Sequence, residues 1–133
     1  MLHDVALVAR VGTRKDHHIN GAEMAEAMLA KYNYLQEKIA RVKSCVLNHC
    51  SGRNGTNIEE ICVADADILA HFDNIPMIFS NILQGGASDG ITLPILRSTL
   101  KESFEADYSD LSERTQQDFR ERYELICRMV LGC

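Results

Sequence analysis

The first half of this 133-residue chain is rich in side chains that can bind metal ions. In chain order they are His3 and Asp4, His17 and His18, His49, Asp65 and Asp67. Imidazole and carboxylate groups together suit Mn, Fe, Co, Ni or Zn, and also Mg when water completes the ligand set. Helical proteins build such centres from side chains on neighbouring helices. The pattern therefore predicts a divalent metal site, provided that these residues lie on helices that converge.

Each of these residues also has a purely structural interpretation. His49 at a helix end can interact with the helix dipole, and His17 and His18 can be polar residues at a helix start. Asp65 and Asp67 can be half-exposed residues of a helix. Only the joint order of these residues along the chain favours a metal centre.

The spacing of apolar residues predicts the helices that must position these groups, because it follows a period of about 3.6 residues. The main predicted helices are about 2–10, 17–31, 35–49, 58–72, 91–106 and 112–131. A short helix is also expected from Pro76 to about Leu83, and the stretch QGGASDG at 84–90 is expected to be a flexible connection. The sequence thus predicts an all-α fold, a helical bundle of about five to seven helices without a sheet.

Three local signals refine these helices. Asp16 is a plausible N-cap for the helix at 17–31, and Asn57 with Glu60 three positions later resembles a capping box. His49 falls at the C-terminal end of the apolar stripe of the helix at 35–49. The imidazole of His49 is therefore expected where this helix ends.

Composition excludes several classes of protein. The hydrophobic content of 46% agrees with one domain over 1–133, with the motif-bearing part at 1–84 and covering helices at 91–131. The net charge is −5 and no basic cluster exceeds Arg14-Lys15, so nucleic acid is not an expected partner. No stretch approaches the roughly 20 apolar residues of a membrane span, and no signal peptide is recognisable. We therefore expect a cytoplasmic location and no membrane partner.

The cysteines give little indication of a separate site. Their number is five, which is odd, and no two of them have CxxC spacing. Cys45 and Cys50 with His49 match no zinc-site spacing. Reduced and buried thiols are the expectation.

Four segments resemble the HD superfamily of metal-dependent phosphohydrolases. They are the His3-Asp4 doublet, DHHINGAEMAEAML at 16–29, KIARVKSCVLNHC at 38–50 and ICVADADIL at 61–69. The resemblance covers about residues 1–84. It implies a helical bundle around a divalent metal ion.

The resemblance also implies roles for individual residues. His3 and Asp4 match the signature pair, and Asp67 matches the distal metal ligand, with Asp65 as the less favoured alternative. In branches of the family that bind two metals, two more histidines act as ligands, and the matching positions here are His17 and His49.

The implied reaction is hydrolysis of a small phosphate ester or anhydride, with a nucleotide as the expected substrate class. A bound metal polarises the phosphoryl oxygen and activates water. Asp4 is expected both to bind metal and to accept a proton, and His18 is expected to contact phosphate or to protonate the leaving oxygen.

The chain departs from the family pattern in one respect, which leads to two further hypotheses about it. The family has a histidine upstream of the His-Asp pair, whereas only Met1 and Leu2 precede it here, so the chain is expected to be an HD domain shortened at its N-terminus. The alternative to an enzyme is an HD-like binding or assembly module with an incomplete metal site and weak or no activity. Apolar residues such as Val5 and Val8 would then favour a homo-oligomer.

Overall fold

The structure is a computed structural model that describes residues 2–78, 80 and 92–131. Its helices are α1 (Val5–Val8), α2 (His17–Lys31), α3 (Gln36–Asn48), α4 (Ile58–Asp73), α5 (described at 75–78 and 80), α6 (Leu93–Asp110) and α7 (Glu113–Leu131). A single 3-10 turn, Gly52–Asn54, lies between α3 and α4. These described residues contain no strand, which confirms the all-α prediction. None of the described helices is long and apolar enough to cross a membrane.

The chain divides into two compact units, Met1–Asp65 and Ala66–Cys133. The first unit contains α1, α2, α3 and the beginning of α4, and the second contains the rest of α4 with α5, α6 and α7. Most of the predicted ligands, including His3, His17 and His49, belong to the first unit. The prediction of one domain over 1–133 stays a prediction.

In the first unit, small residues let α1 approach α2 closely. Ala6 is completely buried, and Ala22 and Ala25 form an apolar cluster with Val46 of α3. At Gly21 a side-chain methyl group would lie only 3.2 Å from the carbonyl oxygen of His3. The glycine therefore allows the backbone that carries His3 and Asp4 to pack against α2.

The first helix is shorter than the sequence predicts, because it begins at Val5 and ends at Val8. Arg10 adopts a left-handed φ of 57°, and the N–H of Val11 donates to the carbonyl of Ala6, which closes the helix end. His3 and Asp4 thus lie before the helix, in a turn, and not within it.

Asp16 precedes α2 as predicted, but its side chain does not cap the helix. Its carboxylate instead accepts hydrogen bonds from the backbone N–H and the hydroxyl of Thr13. These bonds lower the pKa of the Asp16 carboxyl group. The turn at 13–16, and not the helix start, is what this residue stabilises.

At the start of α4, Asn57 caps the helix as predicted, since its Oδ1 accepts from the N–H of Glu60. The Glu60 carboxylate, however, does not complete a capping box. It accepts from the N–H and hydroxyl of Thr56 and from the hydroxyl of Ser44 on α3. These hydrogen bonds, led by that from Ser44, lower the pKa of the buried Glu60 carboxyl group to about 2. Glu60 therefore ties the end of the 50–57 loop to α3.

The core of the second unit is built from buried aromatic and aliphatic side chains: Ile68, Phe72, Ile78, Leu100, Phe104, Leu111 and Phe119. Tyr108 and Tyr123 stack with their ring centroids 4.1 Å apart, and burial raises the pKa of Tyr123. The fifth histidine, His71, lies in this unit with its Nδ1 3.0 Å from Asp107 Oδ2. The amphipathic helices at the end of the chain thus cover a core, as their patterns indicate.

None of the four described cysteines is buried, because Cys50 and Cys62 are exposed and Cys45 and Cys127 are half-buried. The prediction of buried thiols is wrong for these four. The connection predicted at 84–90 lies outside the described residues.

Candidate metal centre

The first unit brings together four of the predicted ligands at the ends of three helices. His3 and Asp4 immediately precede α1, His17 is the first residue of α2, and His49 directly follows α3. His3 Nε2 lies 3.5 Å from Asp4 Oδ2, and the His3 and His49 rings lie 5.2 Å apart. Residues separated by up to 46 positions thus form one polar cluster.

The closest contact in this cluster joins two histidines. His17 Nε2 and His49 Nε2 are 3.1 Å apart. The Nδ1 atom of His17 lies 2.7 Å from the carbonyl oxygen of Arg14, and that of His49 lies 2.7 Å from the carbonyl oxygen of Val46. A carbonyl only accepts, so both Nδ1 atoms must carry the proton. In the neutral form of both rings, two Nε2 lone pairs therefore face each other.

Asp4 provides a negative charge next to these lone pairs. Its Oδ1 lies 3.5 Å from His17 Nε2 and 3.8 Å from His49 Nε2. The Asp4 side chain is 42% exposed, whereas that of His49 is 2% exposed. The cluster is therefore buried on its histidine side and open to solvent at its carboxylate.

This donor set fits a divalent metal ion. The Nε2 lone pairs of His17 and His49 repel each other unless a proton or a cation lies between them. The negative charge of the adjacent Asp4 carboxylate attracts a positive charge to this point. Two ligand atoms that are each about 2.0–2.2 Å from one ion lie about 3.0–3.5 Å apart. The separations of 3.1 Å and 3.5 Å fall in this range, and the third, 3.8 Å between Asp4 Oδ1 and His49 Nε2, is slightly longer. Metal-binding histidines also usually donate their second ring N–H to a carbonyl or carboxylate, as His17 and His49 do here.

His18, the predicted acid, is next to the cluster on α2. Its ring meets that of His17 edge-on, with 5.7 Å between the centroids. Its Nδ1 atom is buried and has no hydrogen-bond partner among the described residues. A buried polar atom without a partner costs free energy, so it is available to a ligand.

The two predicted aspartate ligands both lie on α4. Asp65 is buried and belongs to the first unit, whereas Asp67 is half-buried and belongs to the second. The choice between them as a metal ligand stays a prediction.

Cys50 is not among the ligands predicted from the sequence, yet it lies beside this cluster. Its Sγ lies 3.9 Å from His49 Nε2. The ligand atoms of His17, His49 and Cys50 all lie within 4.8 Å of one another. Spacing rules for zinc sites do not detect this group, because they seek ligands close in sequence, whereas His17 comes from another helix. The signal present in the sequence was the adjacency of Cys50 to a predicted ligand.

A cavity of about 480 Å³ adjoins the cluster, because His3 is part of its wall. Apolar side chains such as Leu2, Val42 and Val46 form most of the surface. Lys38 and Arg41, which are both exposed, provide positive charge at the cavity. The sequence patterns indicated no such cavity, since it arises between α3, α4 and the residues before α1.

Comparison with protein-family models, with curated proteins and with solved structures finds no match for this chain.

Proposed function

We propose that this chain is a metal-dependent phosphohydrolase of the HD type that hydrolyses a phosphate ester or anhydride of a nucleotide. The observation that carries the proposal is the convergence of His17 Nε2, His49 Nε2 and Asp4 Oδ1 within 3.8 Å of one another. The sequence resemblance contributes the reaction class, which a donor set alone does not specify.

In this proposal His3, Asp4, His17 and His49 hold the ion. When bound, a divalent ion supplies Lewis-acid polarisation of a phosphoryl oxygen and makes water more acidic. The backbone carbonyls of Arg14 and Val46 orient the two rings so that each Nε2 is aimed at the same point. Packing around the nearly fully buried His49 holds this geometry.

Asp4 and His18 move the protons. The attacking water forms a new O–P bond and gives a proton to a carboxylate oxygen of Asp4, which solvent reaches. The bond from phosphorus to the leaving oxygen breaks, and that oxygen takes a proton from His18. The His18 ring, adjacent to His17, has a buried Nδ1 without a partner, which suits a group that contacts substrate.

The cavity beside His3 supports a nucleotide as the substrate class. Its apolar wall suits a planar base, and the ammonium of Lys38 and the guanidinium of Arg41 favour an anion. Glu59 neutralises part of this charge, since its carboxylate lies 3.1 Å from the Arg41 guanidinium.

The test is phosphate release from a panel of nucleotides in the presence of manganese. The wild-type chain should release phosphate, and His17→Gln should lower kcat/KM by at least about 100-fold, because loss of a ligand exceeds the 10–100-fold cost of losing an outer partner. His71→Gln is the matched control, since His71 pairs with Asp107 in the second unit. Metal binding without phosphate release from any nucleotide would contradict the proposal and favour a binding module.

A further inference from the structure

Cys50 places a sulfur atom at the edge of the histidine pair. It directly follows His49, and its Sγ lies 3.9 Å from His49 Nε2. It also lies within 4.8 Å of the ligand atom of His17. The backbone turn after α3 therefore brings two consecutive side chains, one imidazole and one thiol, to the same point.

We propose that Cys50 is a thiolate ligand of the metal centre, which makes the centre a mixed nitrogen, oxygen and sulfur site that prefers Zn²⁺ or Co²⁺ over Mn²⁺ or Mg²⁺. This inference rests on the metal centre of the proposed function and does not depend on the reaction that the centre performs.

The distances require a small adjustment. A metal ion binds sulfur at about 2.3 Å and imidazole nitrogen at about 2.0–2.1 Å, so the two atoms lie about 3.5 Å apart around a tetrahedral ion. The measured separation is 3.9 Å. The sulfur must also approach the ligand atom of His17, from which it lies within 4.8 Å. Cys50 is exposed, and rotation about its Cα–Cβ bond can move the sulfur relative to both nitrogens.

Charge balance also favours this ligand. The neutral imidazoles of His3, His17 and His49 leave the double charge of the ion uncompensated. The Asp4 carboxylate and a Cys50 thiolate together provide two negative charges, and the thiol proton passes to solvent when the ion binds. Soft sulfur ligands select Zn²⁺ and related ions, whereas all-oxygen sites suit Mg²⁺ and Mn²⁺.

Cys45 and Cys62, the other described cysteines of the first unit, are less suited than Cys50 to bind the ion. Cys45 lines the apolar cavity, where burial raises the pKa of its thiol and so disfavours a thiolate. Cys62 is exposed on α4 and belongs to no cluster of potential ligands among the described residues. Cys62→Ser therefore provides a matched control for Cys50→Ser.

The experiment is a Co²⁺ titration of the reduced chain, followed by absorption spectroscopy. Cobalt bound to thiolate gives a sulfur-to-metal charge-transfer band in the near ultraviolet, and any bound cobalt gives visible d–d bands. The wild-type chain and Cys62→Ser should show both kinds of band. Cys50→Ser should keep the d–d bands, lose the charge-transfer band and bind Co²⁺ at least about tenfold more weakly, and its far-ultraviolet circular dichroism should match that of the wild type.

Two results would overturn the inference and leave the proposed function in place. One is a wild-type spectrum with d–d bands that His17→Gln removes, but without a charge-transfer band. The other is a charge-transfer band that persists in Cys50→Ser, since the sulfur would then come from another cysteine. Absence of every cobalt band from the wild type would contradict both this inference and the metal centre of the proposed function.

Discussion

The Nε2 atoms of His17 and His49 lie 3.1 Å apart, although the two residues are 32 positions apart in the sequence. Each ring donates its other N–H to a backbone carbonyl, so neither ring can turn to relieve the contact without losing a hydrogen bond. An ion or a proton at this point satisfies both nitrogens. Metal binding should therefore stabilise the fold as well as form the site.

We expect added Zn²⁺ to raise the thermal midpoint of the chain. A ligand that binds only the folded state contributes about 2.7 kcal/mol when its concentration is 100 times Kd. Differential scanning calorimetry of the EDTA-treated protein, with and without Zn²⁺, measures this shift. Asp4→Asn and His17→Gln should abolish most of it, and His71→Gln should retain it. An equal shift in all three variants would mean that the ion binds elsewhere.

Gly21→Val should damage the site through the backbone of His3. A Cβ at position 21 lies 3.2 Å from the His3 carbonyl oxygen and 3.3 Å from Val46 Cγ1, so a branched side chain must push both away. Overpacking of this kind costs about 1–3 kcal/mol. Urea unfolding and Zn²⁺ titration should show lower stability and weaker binding.

The control for this substitution is Ala27→Val, on the exposed side of the same helix. It introduces the same side chain and costs only the lower helix propensity of valine, at most about 0.7 kcal/mol. If Ala27→Val weakened Zn²⁺ binding as much as Gly21→Val, close packing at Gly21 would not be the cause.

Glu60 should make the stability of the chain sensitive to acid. Its pKa is lowered from 4.5 to about 2 in the folded state, chiefly by the hydroxyl of Ser44 and the N–H of Thr56. The folded state therefore binds the proton less well than the unfolded state. The stability due to Glu60 is fully present above about pH 4.5 and is lost as the pH falls towards about 2.

Glu60→Gln should remove this pH dependence and lower the free energy of unfolding at neutral pH by about 1–3 kcal/mol, because hydrogen bonds to a buried charge are lost. Urea unfolding at several pH values between 2 and 7 measures both effects on the same scale. Glu59→Gln is the control, since Glu59 forms an exposed ion pair with Arg41 that should contribute less than about 1 kcal/mol. Unchanged acid sensitivity in Glu60→Gln would contradict the assignment.

Val42→Trp should fill part of the cavity beside His3. If the cavity receives the base of a nucleotide, KM should rise by about tenfold or more, with kcat and Zn²⁺ affinity nearly unchanged, because no ligand is moved. Leu47→Trp, at an exposed position of the same helix, is the matched control. A parallel loss of kcat and metal affinity in Val42→Trp would indicate a distorted centre and not a blocked cavity.

Local sequence patterns were sufficient for most of the helices. The predicted helix at 17–31 agrees with His17–Lys31. The prediction at 35–49 differs from Gln36–Asn48 by one residue at each end, and that at 58–72 differs from Ile58–Asp73 by one residue at its C-terminal end. Apolar periodicity and end signals such as Asn57 act over a few residues, so they can be read from the sequence. The short α1 was less predictable, because its end depends on the left-handed backbone at Arg10.

The types of the site residues were likewise decided by the sequence, since imidazole and carboxylate groups at helix ends carry metal-binding chemistry wherever they lie. Their distances were decided by the tertiary structure. The contact of Asp4 with His17 requires α1 to pack against α2 through Ala6 and Gly21. The contribution of Cys50 requires the turn after α3, which depends on packing and on long-range hydrogen bonds such as that from Ser44 to Glu60. Such contacts join residues that are distant in sequence, and a local pattern contains no information about which of them will meet.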